Sequence, residues 1–292
     1  MDINYELYKV FYHVADSLSF SEASRRLYIS QSAVSQSVKT LEKKLGQTLF
    51  IRSTKKVSLT PAGELLLKHI EPAIQLLSQG EEQLFEADTL PLERLHIAAS
   101  DTICRYFMVP YLKQFHQLYP RTLIRITNAP SMACAELLEQ GKADLIITNS
   151  PNRRLNPSCV VRHVAEFSDV FVANPAFFPD ATEQLSLEEI ARHPILMLDK
   201  NSTTSMFLQQ LFFSHQLEFM PEFQLHSNDL LLDLARIGLG IAFLPDYCLQ
   251  KNDSDLVIIQ TKETIPRRQL TAAVNPSVPA SSALQAFLEL LP

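Results

Sequence analysis

The segment from Phe20 to Gly46, FSEASRRLYISQSAVSQSVKTLEKKLG, allows little besides two helices joined by a tight turn. Phe20, Ala23, Leu27, Ile29, Ala33, Val34, Val38, Leu41 and Leu45 recur at steps of three and four, the period of helices that share a core. The period breaks near Tyr28. There Ser30 can accept a hydrogen bond from the amide of residue 32 or 33 and start a second helix, which Gly46 is placed to end. The turn that remains is about three residues long, and Ala23 is small where two steeply crossing helices need close approach. The second helix then exposes Gln31, Ser32, Ser35, Gln36, Lys39 and Lys43. Gln and Ser can pair with base edges in a major groove, and lysines can lie against phosphates. A merely solvated helix face would look the same, so the flanking sequence decides.

After Gly46, the short apolar segments Leu49-Phe50 and Val57-x-Leu59 enclose Arg52, Ser53, Thr54, Lys55 and Lys56, which reads as a small hairpin with a basic tip. Such a wing suits the DNA backbone or the minor groove, whose negative potential attracts Arg and Lys. Thr60-Pro61 then opens another helix, with Thr as cap and Pro at the first position. The first 65 or so residues resemble the LysR-type transcriptional regulators. The resemblance rests on Phe20, Ala23, Leu27, Ser30-Gln31-Ser32-Ala33-Val34-Ser35, Leu41-Glu42, Leu45-Gly46, Leu49-Phe50, Arg52, Leu59-Thr60 and Ala62-Gly63. Gln36 and Lys55 depart from it, standing where many members carry Arg. The resemblance implies that Gln31, Ser32, Ser35, Gln36, Lys39, Arg52 and Lys55 contact double-stranded DNA, at a promoter with dyad symmetry if the protein is a dimer.

The net charge of −6 argues at first against nucleic acid. Residues 1–60 nevertheless hold nine Lys and Arg against five acids, a net of +4, which leaves −10 for the remainder. A basic head on an acidic body fits a DNA-binding domain joined to a separate regulatory one. No apolar run approaches bilayer length and no leading apolar segment follows a charged start, so no membrane partner is expected and the cytoplasm is the expected compartment. Cys104, Cys134, Cys159 and Cys248 show neither CxxC nor metal-ligand spacing, and no metal or cofactor is expected.

Three parts are expected: a winged helix-turn-helix domain over 1–59, a linker helix and hinge over 60–91, and an α/β body over 92–292. In the linker, Leu66, Ile70, Ala73, Leu77, Gly80 and Leu84 form a heptad seam. A helix of this span would be about 42 Å long, more than a small winged domain can cover, so a second copy is the natural partner. Pro72 should bend it near Lys68. Packing on the chain's own body stays open as an alternative. The resemblance makes this a dimerisation helix, with Leu66, Ile70 and Leu77 at the contact and a homodimer or homotetramer as the assembly.

Beyond Leu92, short apolar runs alternate with amphipathic stretches, which argues α/β with mainly parallel sheets. This part is similar to the LysR-type effector-binding domain, with a fold like that of periplasmic binding proteins. The similarity rests on Ala99-Ser100 with Thr102, Pro110, Tyr119-Pro120, Leu138-x-x-Gly141 with Asp144, and Gly238-Leu239-Gly240-Ile241 with Leu244-Pro245. It implies lobe I over about 92–160 and 266–292 and lobe II over about 161–265, with crossings near Asn149 to Val164 and near Glu263 to Gln269. Asn128-Ala129-Pro130-Ser131 replaces the Gly-containing loop common in the family.

Ser100-Asp101-Thr102, Ser131 and Ser202-Thr203-Thr204-Ser205 each set hydroxyls beside a helix start at the carboxyl end of a strand. Each alone reads as an N-cap. Together, with the family placing effectors there, Ser100, Thr102, Ser131 and Thr203 are expected to hold a small effector, a carboxylate or other oxyanion. The eight histidines show no HExxH and no triad motif, so no catalytic residue is expected. A solute-binding protein would not carry a winged helix. A thiol-based redox regulator of the same architecture remains the alternative, since Cys104 and Cys134 both lie near the supposed cleft.

Overall fold

The computed structural model describes residues 3–52, 56–85, 93–218, 221–250 and 255–292. Lys55 and the side chain of Leu84 lie outside the described residues. The chain divides into two compact units, Met1–Pro91 with Glu139–Lys142, and Leu92–Leu138 with Ala143–Pro292.

The first unit opens with α1 (Tyr5–Ser17), a helix absent from the sequence reading, capped by Asn4 accepting from the Glu6 amide at 2.9 Å. In α2 (Phe20–Leu27) and α3 (Gln31–Leu45) the expected pair forms, and Ser30 accepts from the Ala33 amide at 3.2 Å. Gly46 ends α3 in the left-handed region, at φ 66°. Strands β1 (Phe50–Arg52) and β2 (Val57–Leu59) pair antiparallel as the wing. Thr60 caps α4 (Pro61–Phe85), accepting from the Gly63 amide at 3.0 Å, and α4 runs unbroken through Pro72.

The core of this unit joins Phe11, Val14, Ala23, Val34, Val38, Leu41, Leu49 and Phe50, with the Phe11 and Phe50 rings 5.4 Å apart. Ala23 is fully buried at the helix crossing. Ala33 and Ile29, read from periodicity as core, are instead exposed, because Ile29 lies in the turn and α3 directs its first residues outward. The positions expected to meet a second copy divide: Leu66 and Ile70 pack against the chain's own winged-domain core, while Leu77 is 49% exposed, with Leu65 and Leu76 also on the surface.

In the second unit, β3 (Arg94–Ala99) leads into α5 (Asp101–Ile103), a π-helical turn (Cys104–Met108) and α6 (Val109–Leu118). Then follow β4 (Leu123–Asn128), α7 (Ser131–Glu139), β5 (Leu145–Ser150) and β6 (Val160–Phe167). The chain continues through β7 (Asp169–Ala173), β8 (Gln184–Leu185), α8 (Leu187–Ile190), β9 (Ile195–Leu198) and α9 (Thr203–Ser214). It closes with β10 (Pro221–Leu225), α10 (Asn228–Arg236), β11 (Ile241–Pro245), β12 (Val257–Thr261), β13 (Arg268–Val274) and α11 (Ser282–Leu290).

Two sheets result, one in the order β4-β3-β5-β13-β6 and one in the order β10-β9-β11-β7-β12-β8. Both are mixed rather than mainly parallel. β13 runs antiparallel to β5 and β6, and β7 antiparallel to β11 and β12, because these are strands that enter or return from the other sheet. The first crossing also moves. Val160–Phe167 belongs to the first sheet, so the chain changes sheets at Ser168 and not between Asn149 and Val164. The return between β12 and β13 falls where expected.

One partly buried histidine links this fold to pH. His96 on β3 meets the Thr127 hydroxyl through Nε2 at 2.7 Å, and its backbone amide donates to Asp144 at 2.8 Å. Burial, aided by Arg125, holds its imidazole below the ordinary value. The unfolded chain therefore takes up the proton first, and the stability this group contributes is complete above about pH 6.5 and lost as pH falls through the lower folded value. Urea unfolding at about pH 5.5 and 7.5 should show a smaller pH difference in His96→Gln than in the wild type.

Candidate DNA interface and effector site

The exposed polar residues of α3 are Gln31, Ser32, Gln36, Lys39, Lys43 and Lys44. Gln31 accepts from the Ser21 hydroxyl at 3.2 Å, which ties the start of α3 to α2, and the Ser32 hydroxyl lies 2.9 Å from that of Ser30. This face rests on the buried side formed by Val34, Val38 and Leu41. Helix and wing are locked together by one basic residue. Arg52 donates to the Ser35 hydroxyl at 3.0 Å, lies 3.5 Å from the Glu42 carboxylate and sits over the Phe20 ring at 4.5 Å. Glu42 in turn accepts from the Leu49 and Phe50 amides at 2.8 and 3.3 Å. Arg52 and Ser35, expected at the DNA, hydrogen-bond each other at the surface of the unit, where the wing's first strand lays Arg52 over α3. Gln31, Ser32, Gln36 and Lys39 remain as the outward row.

The four hydroxyl residues of the second unit do not converge on one point. Ser100 caps the helical run from Asp101, accepting from the Ile103 amide at 3.4 Å. Thr102 accepts from the Asn228 side-chain amide at 2.8 Å, so its partner comes from the other lobe. Asp101 accepts from Asn128 at 3.0 Å. Around that contact, Arg105 and Tyr106 both bind Asp229, and burial and Asp229 push the Tyr106 phenol up to about 12. Ser131 and Thr203 are buried at the starts of α7 and α9. Thr203 lines a small pocket with Met132, Pro151, Arg153, Met206, Phe207 and Gln210, next to Ser131 in sequence through Met132. Arg153 donates to Gln210 at 3.2 Å across that pocket.

Sequence reasoning missed a buried ion pair at the two crossings. Asp169 follows the first crossing and Arg268 begins the strand after the second; they meet at 2.7 Å with their side chains 0% and 2% exposed. Arg268 also reaches the Ser150 carbonyl and the Thr204 hydroxyl, with its guanidinium beside the Phe167 and Phe207 rings. Burial pushes the Asp169 carboxyl above its ordinary value, and Arg268 pulls the other way. Asp169 Oδ1 and Arg268 Nη2 have no partner among the described residues. The only signal in the sequence was a charge at the leading end of each apolar run, which reads equally well as a solvated strand end.

Burial favours the protonated thiol at Cys104 and Cys134. Burial raises Cys104 to about 11 and Cys134 to about 12, so almost no thiolate exists near neutral pH. Among the described residues, no helix is long and apolar enough to cross a membrane and no cluster could hold a metal ion.

Comparison with known proteins matches both units. The family described as LysR substrate binding domain matches residues 89–292, and the bacterial regulatory helix-turn-helix protein, lysR family, matches residues 5–64. The chain is 28% identical over 242 residues to the HTH-type transcriptional activator CmpR of Synechocystis sp., covering 83% of this chain and 79% of that one. The fold is similar to that of ArgP from Mycobacterium tuberculosis, with a TM-score of 0.73 at 21% identity over 99% and 95% of the two chains. It is also similar to the regulatory domain of CcmR from Synechocystis PCC6803 in complex with 2-PG, with a TM-score of 0.62 at 22% identity over 68% and 94%. With a winged helix-turn-helix ahead of a two-lobed α/β domain, and family matches over both, the chain belongs to the LysR family of DNA-binding transcriptional regulators.

Proposed function

We propose that Gln31, Ser32, Gln36 and Lys39 of α3 form the surface that reads promoter DNA, and that an oxyanion effector bound at the pocket beside Thr203 and Arg153 controls it. The observation that carries the first part is the outward row on α3, held in place by the wing through Arg52. Glutamine and serine at the start of a recognition helix are placed for base edges, and Lys39 further along is placed for phosphate. For the effector, Arg153, Thr203 and Gln210 supply a cation, a hydroxyl and an amide around one small pocket at the start of α9. The structure of the CcmR regulatory domain with 2-PG supports a small ligand in a domain of this shape. The protein works as a regulator without catalysis, as a homodimer or homotetramer, in the cytoplasm where its DNA lies. The raised thiols favour this reading over redox sensing.

Thr102, engaged by Asn228, is the wrong residue on which to test the effector; Thr203 is the better one. A thermal-shift screen of small carboxylates and phosphate esters should find a compound that raises the midpoint, since only a ligand of the folded state does so. Thr203→Val nearly preserves shape but cannot donate, and calorimetry should show more than about tenfold weaker binding of that compound. Equal affinity in both proteins would remove Thr203 from the site.

A further inference from the structure

Tyr28 occupies the turn between α2 and α3 in a conformation that does not suit it. It ends α2 in the left-handed region, at φ 55° and ψ 37°, where a side chain with a Cβ is disfavoured and Gly or Asn is the usual choice. Burial offers no compensation, because Tyr28 is 95% exposed. Ring and hydroxyl therefore stand in solvent three residues before Gln31, at the end of α3 that enters the groove in helix-turn-helix proteins. Neither backbone preference nor packing accounts for an aromatic residue here, whereas contact with an external surface does.

We infer that the Tyr28 hydroxyl donates to a phosphate of the DNA backbone at the edge of the major groove, with its ring against the adjoining sugar, fixing how α3 enters the groove. The inference rests on the α3 reading above. A neutral phenol displaces no counterion, so its contribution differs from that of a lysine: it adds affinity on every sequence without steepening the salt dependence.

The test uses the full chain and a duplex recovered by the wild-type protein from a randomised pool, with affinities measured by fluorescence anisotropy over a range of salt. Tyr28→Phe removes the hydroxyl alone, and Tyr28→Asn suits the left-handed turn, so its thermal midpoint should equal or exceed that of the wild type. Both should bind about fivefold more weakly at every salt concentration, with the wild-type salt slope. Wild-type affinity in Tyr28→Phe would overturn the phosphate contact, and wild-type affinity in Tyr28→Asn would remove the residue from the interface. Gln31→Ala, measured alongside, separates the two levels. If it weakens binding while the Tyr28 variants do not, only the present inference fails; if none of the three weakens binding, the α3 reading fails as well.

Discussion

Asp169→Ala is expected to destabilise the chain by about 3–5 kcal/mol, the range for leaving a buried charge without its partner. Arg268 has few other resources: its guanidinium is 2% exposed, flanked by two phenylalanine rings, and its remaining contacts are a carbonyl and a hydroxyl at 3.3 and 3.4 Å. The pair itself need not be a net source of stability. Both charges were desolvated to form it, and one atom on each side lacks a partner among the described residues. Its place in the fold is a tie between the two crossings, since it joins the residue after the first crossing to the residue after the second. Changing both residues, Asp169→Leu with Arg268→Met, should therefore recover most of the loss. Urea unfolding of the two single variants and the double variant checks this. A single-variant loss below about 1 kcal/mol, or a double variant no better than the worse single one, would contradict it.

Leu77→Asp should give the second large effect, conversion of the oligomer to monomer with the winged domain still folded. Leu77 is half exposed on α4, and Leu65 and Leu76 add further apolar surface left open among the described residues. A carboxylate placed in an apolar contact between two helices costs several kcal/mol, enough to separate a modest pair. Leu66 is unsuitable for this test because it packs on its own core, and its loss would unfold the head. Light scattering should report monomer for Leu77→Asp, together with weaker binding to a two-fold symmetric site. An unchanged oligomer would place the assembly contact elsewhere.

Local signals carried far in this chain and tertiary ones did not. The α2–turn–α3 unit was legible because apolar spacing, a Ser30 cap and a Gly46 stop agree at one place. The capping box at Ser186, with Glu189 returning to the Ser186 amide, is a local signal of the same kind. α1 carries an equal signal in Leu7, Val10, Phe11, Val14 and Ala15 behind an Asn4 cap. β6 was harder: it is an edge strand with only Val164 and Phe167 buried, so Arg162, His163 and Glu166 hide the strand pattern. The site could not be composed from spacing at all. Thr102 looks like a free hydroxyl until folding brings in Asn228 from 126 residues away, and the contact of Arg52 with Ser35 arises only once β1 lays the arginine over α3.

The most direct measurement of the central claim is genome-wide recovery of DNA bound by this protein in its own cells, compared with Gln31→Ala and Lys39→Ala and followed by affinity measurements on the recovered sites. The account predicts discrete promoter sites. It predicts a loss of about 1–3 kcal/mol in specific binding for Gln31→Ala. For Lys39→Ala it predicts an even weakening across sequences, with a salt slope lower by about one unit. Recovery of no discrete sites, or full specific affinity in Gln31→Ala, would contradict it.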